Sequence, residues 1–113
     1  MAPPQRYTLT YSVPPSHLEE TKKAVFAAGG GSFEDGKYVQ VAYESTGTGQ
    51  FMPVSAKGAV PHTGSVDTLA RIEEVRVEIH CGSPDIAKAS VAALKQAHPF
   101  EVVAYEVYKI EQF

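Results

Sequence analysis

A histidine and a carboxylate stand three residues apart near the end of the chain, in the sequence His98-Pro99-Phe100-Glu101. An imidazole titrates near neutral pH, so such a pair could act as a general acid and base. However, Pro99 disfavours helical geometry at His98, so the two side chains do not share a helix face. We favour a structural interpretation, in which His98 closes a helix and Glu101 begins a strand. His98 and Glu101 remain the catalytic candidates, and also ligand-binding candidates if this corner borders a cleft.

A second pair, His80 and Cys81, cannot easily share one metal ion, because adjacent strand residues point to opposite faces. Cys81 continues an apolar face and is expected to be a small buried hydrophobe. His80 shares the polar face with Arg76 and Glu78. A lone histidine there is most simply a surface residue. Three copies of the chain could nevertheless bring three His80 side chains to one axis and bind a divalent metal.

The glycine-rich segment GTGQFMPVSAKGAVPHTG has the composition of a phosphate-binding loop but not its motif. Gly58 and Ala59 follow Lys57, which departs from G-x-x-x-x-G-K-[ST]. The glycines are expected to permit turns with positive φ. If the segment borders a cleft between subunits, Lys57 and His62 are the candidate anion contacts, because loops carry function disproportionately.

Hydrophobic periodicity and turn residues define the elements that must position these side chains. Ser16 and Glu19 have the spacing of a capping box, Ser83 is a second helix cap, and Pro99 ends the second helix. The predicted order is a strand at 6–13, a helix at 17–28, a strand at 37–43, a long loop at 44–70, a strand at 75–81, a helix at 84–97 and a strand at 102–110.

This order, β-α-β-β-α-β, predicts an α+β, ferredoxin-like split βαβ fold with a four-stranded antiparallel sheet. Both helices should cover one face of the sheet. The other face is predicted to be polar and to meet water or further copies of the chain; it carries Thr8, Thr10, Ser12, Arg76, Glu78 and His80. We expect one domain over residues 1–113, with residues 1–5 as a flexible, proline-rich arm.

Composition narrows the function classes. The 113 residues carry a net charge of -3, which argues against nucleic acid and membrane surfaces as partners. The single cysteine cannot form an internal disulfide, and no apolar run approaches the roughly 20 residues of a membrane span. We therefore expect a cytoplasmic location.

Three ordered motifs give the chain a resemblance to a known family. They are STGTGQFMPVSAKGAVPHTG, RIEEVRVEI and ALKQAHPFEVVAYEVY, which together cover most of the sequence from Tyr7 to Tyr108. The chain resembles the domain inserted in the NIF-three-like family, where the motifs read roughly G-x-G-x-F-x-P-x-x-G-A-x-P-x-x-G, E-x-R-x-E and H-P-Y-E-E-x-A-Y-D-x-Y. The resemblance is to a standalone form of that insert.

The resemblance implies a PII/CutA-like fold, usually a trimer with the sheets facing inward and ligands between subunits. The family's two-metal site lies in halves that flank the insert, so neither that site nor its hydrolase activity carries over to this sequence. Two departures stand in the last motif: Phe100 replaces a tyrosine, and Val102 replaces a second carboxylate.

We therefore predict a non-catalytic, small-molecule or metal-binding regulatory module that forms a homotrimer. The cofactor is unknown, and a divalent metal ion is one candidate. One alternative is a hydrolase that acts on a nucleotide or another phosphorylated compound through His98 and Glu101. Another alternative is a structural partner domain for a separate metal-binding chain.

Overall fold

The computed structural model describes residues 3–113 and has the predicted order of strands and helices. The strands are β1 (Arg6–Val13), β2 (Tyr43–Phe51), β3 (Ala70–Cys81) and β4 (Tyr105–Ile110), and the helices are α1 (Leu18–Ala27) and α2 (Pro84–Ala97). The sheet order is β2-β3-β1-β4, and each neighbouring pair is antiparallel. The predicted ferredoxin-like fold is confirmed.

The core lies between the two helices and one face of the sheet. From Leu9 to Val13 in β1 and from Val75 to Cys81 in β3, every second residue is apolar and buried, so that Leu9 lies opposite Ile79 and Tyr11 opposite Val77. Burying each such aliphatic side chain contributes roughly 1.5–3 kcal/mol. The buried apolar residues are Leu9, Tyr11, Val13, Val25, Val75, Val77, Ile79, Cys81, Ala87 and Leu94.

One buried polar contact joins the sheet to α1. The Tyr11 hydroxyl donates a hydrogen bond to Thr21 Oγ1 at 2.9 Å, and the Thr21 hydroxyl lies 3.0 Å from the carbonyl oxygen of His17. Burial raises the pKa of Tyr11 to about 12, so the phenol is neutral at physiological pH. The two buried hydroxyls of Tyr11 and Thr21 are therefore both paired, whereas the buried Ser90 hydroxyl has no hydrogen-bond partner among the described residues.

The opposite face of the sheet, here called the open face, has the predicted polar composition. Thr8 pairs with His80, Thr10 with Glu78 and Ser12 with Arg76, so all six side chains point away from the helices. The Arg76 guanidinium lies 3.3 Å from Thr10 Oγ1 and 3.5 Å from Glu106 Oε1.

The second strand differs from its predicted position. The strand expected at 37–43 is largely irregular, apart from an isolated bridge between Phe33 and Tyr38. Residues 43–51, expected to be part of a long loop at 44–70, form β2 instead. Backbone pairing with β3 defines this strand, and most of its side chains are exposed, so it shows no hydrophobic alternation.

The flanking strands also have different limits from those predicted. β3 begins at Ala70 rather than Val75, because its first residues pair with β2 in a hairpin. β4 begins at Tyr105 rather than Val102, which leaves residues 98–104 as the corner between α2 and β4. The irregular loop between β2 and β3 is therefore shorter than predicted and spans residues 52–69.

The ends of the helices follow local rules with one exception. Ser83 Oγ accepts a hydrogen bond from the Ile86 amide at 3.2 Å, which is the predicted N-cap of α2. His98 has an extended backbone, as expected before Pro99. The capping box predicted for Ser16 does not form, because a single-turn helix over Pro15–His17 precedes α1 and the Ser16 hydroxyl contacts His17 Nδ1.

The proline-rich arm predicted for residues 1–5 lies partly outside the described residues. Within the described part, Gln5 is tied to the sheet, since its side-chain amide donates to the carbonyl oxygen of Ile110 at 2.7 Å. Between residues 3 and 113, no helix has both the length and the apolar character that crossing a membrane requires.

Candidate functional site

The loop at 52–69 folds back onto the corner at 98–104 and forms with it a cavity that is partly open to solvent. The Glu101 carboxylate accepts a hydrogen bond from the Val60 amide at 2.8 Å, which joins segments 41 residues apart. The Phe100 ring lies 6.2 Å from Phe51 and 6.0 Å from His62, within the usual range for aromatic pairs. The corner and the loop therefore form one structural unit.

The cavity has a volume of about 400 Å³, which suits a small molecule. Its wall is mainly apolar. The lining residues are Ser12, Gln50, Phe51, Met52, Pro53, Val54, Ala59, Val60, Pro61, His62, Thr63, Glu74, Phe100, Glu101, Val102 and Ala104. The titratable side chains among them are two carboxylates and one imidazole.

The loop is held in place by its own hydrogen bonds. The Asp67 carboxylate accepts from the Ser55 amide at 3.0 Å and from the Ser55 hydroxyl, and the Asp67 amide donates to the carbonyl oxygen of Pro53 at 2.6 Å. These hydrogen bonds from Ser55 lower the pKa of the Asp67 carboxyl group. The loop thus has a defined shape although it contains little regular structure.

His98 supports the cavity from behind. Its side chain is 6% exposed. Nε2–H donates to the carbonyl oxygen of Ser12 at 2.8 Å, and Nδ1 accepts from the Phe100 amide at 3.1 Å. Burial lowers the pKa of the imidazole, which favours the neutral form. Both ring nitrogens are therefore engaged in fixing the corner against β1.

The two predicted anion contacts are not equivalent in the structure. His62 lines the cavity and packs edge-on against His17, with ring centroids 5.6 Å apart. Lys57 lies on the exposed single-turn helix Ser55–Lys57 and does not line the cavity. The structure thus brings His62 and Glu101 to one cavity and leaves Lys57 outside it.

His80 lies elsewhere, on the open face of the sheet. Its ring stacks on Phe33 with centroids 4.2 Å apart, and burial lowers its pKa. Cys81 is fully buried on the opposite face, as its place in the apolar pattern predicts. No group of three or more metal-binding side chains converges within residues 3–113, so a metal at His80 would need side chains from other copies.

Sequence reasoning missed Glu74, which lines the cavity from β3. It lies on the open face, directly opposite Gly47 of β2, and its carboxylate extends over Gly49. A β-carbon at Gly49 would overlap that carboxylate. Burial raises the pKa of Glu74. The signal in the sequence was a carboxylate two residues before Arg76, in phase with the predicted open face but just outside the strand predicted at 75–81. The glycines opposite it could be paired only once β2 was located.

The fold defines a class of protein. CutA1 of Shewanella sp. SIB1 matches 99% of this chain and 87% of its own with a TM-score of 0.64 and 14% identity. GlnK of B. subtilis, in a complex with ATP, matches 95% of this chain and 84% of its own with a TM-score of 0.59 and 15% identity. At these identities the likeness is one of fold, and it places the domain among PII/CutA-like structures.

Closer relatives identify the domain more narrowly, although no protein-family model matches it. A Bacillus cereus protein related to NIF3 matches 99% of this chain with a TM-score of 0.80 and 30% identity, over 27% of its own length. A GTP cyclohydrolase 1 type 2 homolog of Mycobacterium leprae is 39% identical over 99 residues, which are 87% of this chain and 24% of that protein. The chain is therefore homologous to one segment of the NIF3-like proteins and spans about a quarter of their length.

Proposed function

We propose that this domain is a non-catalytic binding module of the PII/CutA type, and that its ligand is a small molecule held in the cavity between the loop at 52–69 and the corner at 98–104. The observation that carries the proposal is the cavity itself, which the hydrogen bond from Val60 to Glu101 holds together. A concave, mainly apolar cleft with a few polar groups is the usual form of a small-molecule site, and this cleft is partly open to solvent.

The arrangement of His98 supports binding rather than catalysis. A general base must present a free nitrogen to the substrate, whereas both His98 nitrogens already bind backbone groups. Glu101 is likewise engaged with the Val60 amide. The hydrolase alternative, which depends on these two residues, would require the corner to open first.

The charges that line the cavity also argue against a nucleotide or another phosphorylated compound. Phosphate groups are bound by arginine, lysine or clusters of backbone amides. The lining contains neither arginine nor lysine, and it contains two carboxylates. Although the fold neighbour GlnK is described in a complex with ATP, the residues of this cavity suit a different ligand.

We further propose that the chain assembles as a homotrimer through the open face. This face carries paired polar groups and two exposed tyrosines, Tyr43 at 67% and Tyr108 at 48% exposure. Ser12 and Glu74 belong to the same face and line the cavity, so neighbouring copies would border the ligand site. His80 would then be the candidate for a divalent metal shared between copies, since neutral imidazole is the form that binds metals.

Native mass spectrometry of the freshly purified protein tests this proposal, because it reports assembly size and retained ligand together. Ala104 lines the cavity, so Ala104→Phe should fill part of it and remove the retained mass while the protein stays folded. Ala92→Phe, on the exposed side of α2, is the matched control and should keep that mass. Retained mass that survives Ala104→Phe would contradict the assignment of the cavity, and a monomer would contradict the trimer.

A further inference from the structure

The Glu74 carboxylate is the one acidic group of the cavity that has no partner. Within residues 3–113, no hydrogen bond or ion pair joins it to another side chain or to the backbone, and desolvation alone raises its pKa. A partly buried carboxylate without a partner is unfavourable, because it loses water and gains nothing in return. A cation supplied by a ligand would remove that cost.

The strand opposite Glu74 leaves room for this carboxylate. Gly49 has no positive φ that would require glycine, yet any side chain there would meet the Glu74 carboxylate. At Gly47 an added β-carbon would meet nothing within 4 Å, so a polar groove continues from the cavity along β2. The two glycines of β2 therefore leave space for the Glu74 carboxylate to extend to the boundary between the apolar cavity and the polar groove.

The charged groups nearby do not neutralise Glu74. Arg76, the next residue on the same face of β3, points to Thr10 and Glu106. His62 lines the cavity but is mostly exposed and packs against His17, and Glu101, which binds the Val60 amide, adds a second negative charge. The electrostatic character of the cavity is therefore anionic at one side and apolar elsewhere.

We propose that the cavity binds a small monocation with an apolar body, an aliphatic or aromatic amine, whose ammonium group pairs with Glu74 while its body contacts the Phe51, Val60 and Phe100 side of the cavity. This inference rests on the proposed function, since it takes the cavity to be the ligand site. Charge complementarity selects the amine, and the volume of about 400 Å³ limits its size.

Three probes with the same phenyl body and different charge test this inference: phenethylamine, phenethyl alcohol and hydrocinnamate. NMR titrations of the full chain should show amide shifts around the cavity with the amine at the lowest concentration. We expect the amine to bind about tenfold or more tightly than the alcohol, the difference that a charge-assisted hydrogen bond provides. Hydrocinnamate should bind most weakly, because its carboxylate meets Glu74 and Glu101.

Two variants of the site and one control variant test whether Glu74 causes the preference for the amine. Glu74→Gln keeps the size of the side chain and should abolish the preference for the amine. Gly49→Ala should also weaken amine binding, because the new methyl group displaces the flexible end of Glu74 without removing its charge. Glu78→Gln is the matched control, since Glu78 lies on the same face of β3 but does not line the cavity, and it should leave the preference unchanged.

The outcomes separate this inference from the proposed function. Equal binding of all three probes at the cavity would overturn the inference and leave the cavity as a ligand site. Amine binding that persists unchanged in Glu74→Gln would overturn it as well. If no probe changes the NMR shifts of the cavity amides, the inference also fails. The loss of retained mass in Ala104→Phe then tests by itself whether the cavity is a ligand site.

Discussion

Replacing His98 with alanine is expected to destabilise the domain by about 2–4 kcal/mol. The reason is the loss of the hydrogen bonds that hold the corner in place, and not the loss of a catalytic group. The imidazole is 6% exposed and satisfies two backbone groups, the carbonyl oxygen of Ser12 and the amide of Phe100. Each buried polar group that loses its partner costs about 1–3 kcal/mol, and water that enters the vacated space recovers part of that cost. Domains of this size are stable by roughly 5–15 kcal/mol, so the variant should still fold.

The same imidazole should make stability depend on pH. Burial lowers the pKa of His98 in the folded state below its ordinary value, so between these two values the unfolded chain binds more protons. Stability is then complete above the unfolded pKa of about 6.5 and falls as the pH drops below it, by at most about 1.4 kcal/mol per pH unit for one proton. Burial also lowers the pKa of His80, which adds a second contribution of the same sign. The raised pKa of Glu74 acts with the opposite sign, because its contribution to stability is lost as the pH rises above the ordinary value of 4.5.

Urea unfolding followed by circular dichroism, at about pH 7.5 and about pH 5.5, measures both effects. His98→Ala should lower stability at the higher pH and reduce, without abolishing, the difference between the two conditions, since His80 remains. His17→Ala is the matched control for the loss of stability at the higher pH, because this side chain is only partly buried and its hydrogen bond to Ser16 is exposed. It does not control for the pH dependence, since, besides burial, the charge of His17 also lowers the pKa of His98. The reasoning is refuted if the wild-type protein is as stable at the lower pH, or if His98→Ala costs less than about 1 kcal/mol.

Four other substitutions test the fold and the loop. Leu94→Ala, at a fully buried position, should cost about 2–5 kcal/mol and lower the urea midpoint with an unchanged slope. Ser83→Ala removes the N-cap of α2 and should cost about 1 kcal/mol in the same assay. Gly31→Ala should cost about 1–3 kcal/mol or more, since the residue has a φ of 78° and an added methyl group would meet the Phe26 ring at 2.8 Å. Asp67→Ala should speed hydrogen exchange at the Ser55 amide but not change the melting temperature, because this contact is exposed and confined to the loop.

Strands that bury one face were predicted correctly from the sequence. The position of β2, which buries neither face, was predicted wrongly. β1 and the end of β3 alternate because Leu9, Val77 and their neighbours must face the helices. β2 has almost no buried residues, so backbone pairing with β3 determines its position and hydrophobic pattern carries no information about it. Tyr38 and Val39 have strand-forming side chains but are 62% and 60% exposed, which explains the misplaced prediction.

Some residues of the candidate site could be predicted because they belong to recognisable motifs, and others could not because their place depends on tertiary contacts. His62, His98 and Glu101 belong to motifs with turn-forming residues, and the structure brings these motifs together around one cavity. Lys57 was expected beside them but lies on an exposed turn, because the direction of a side chain in an irregular loop depends on contacts such as that of Asp67 with Ser55. Glu74 was missed because its place in the cavity, opposite Gly47 and over Gly49, follows from the position of β2.

The first four residues of the corner, His98 to Glu101, have two different roles: the first two shape the chain, and the last two line the cavity. Pro99 ends α2 and His98 fixes the chain to β1, so their side chains serve the fold. Phe100 and Glu101 line the cavity, where one supplies apolar contact and the other holds the loop. Because the buried His98 side chain binds the Phe100 amide, a change at His98 should alter ligand binding by moving Phe100 rather than by removing a reacting group. Weakened binding in His98→Ala would therefore not identify a catalytic histidine.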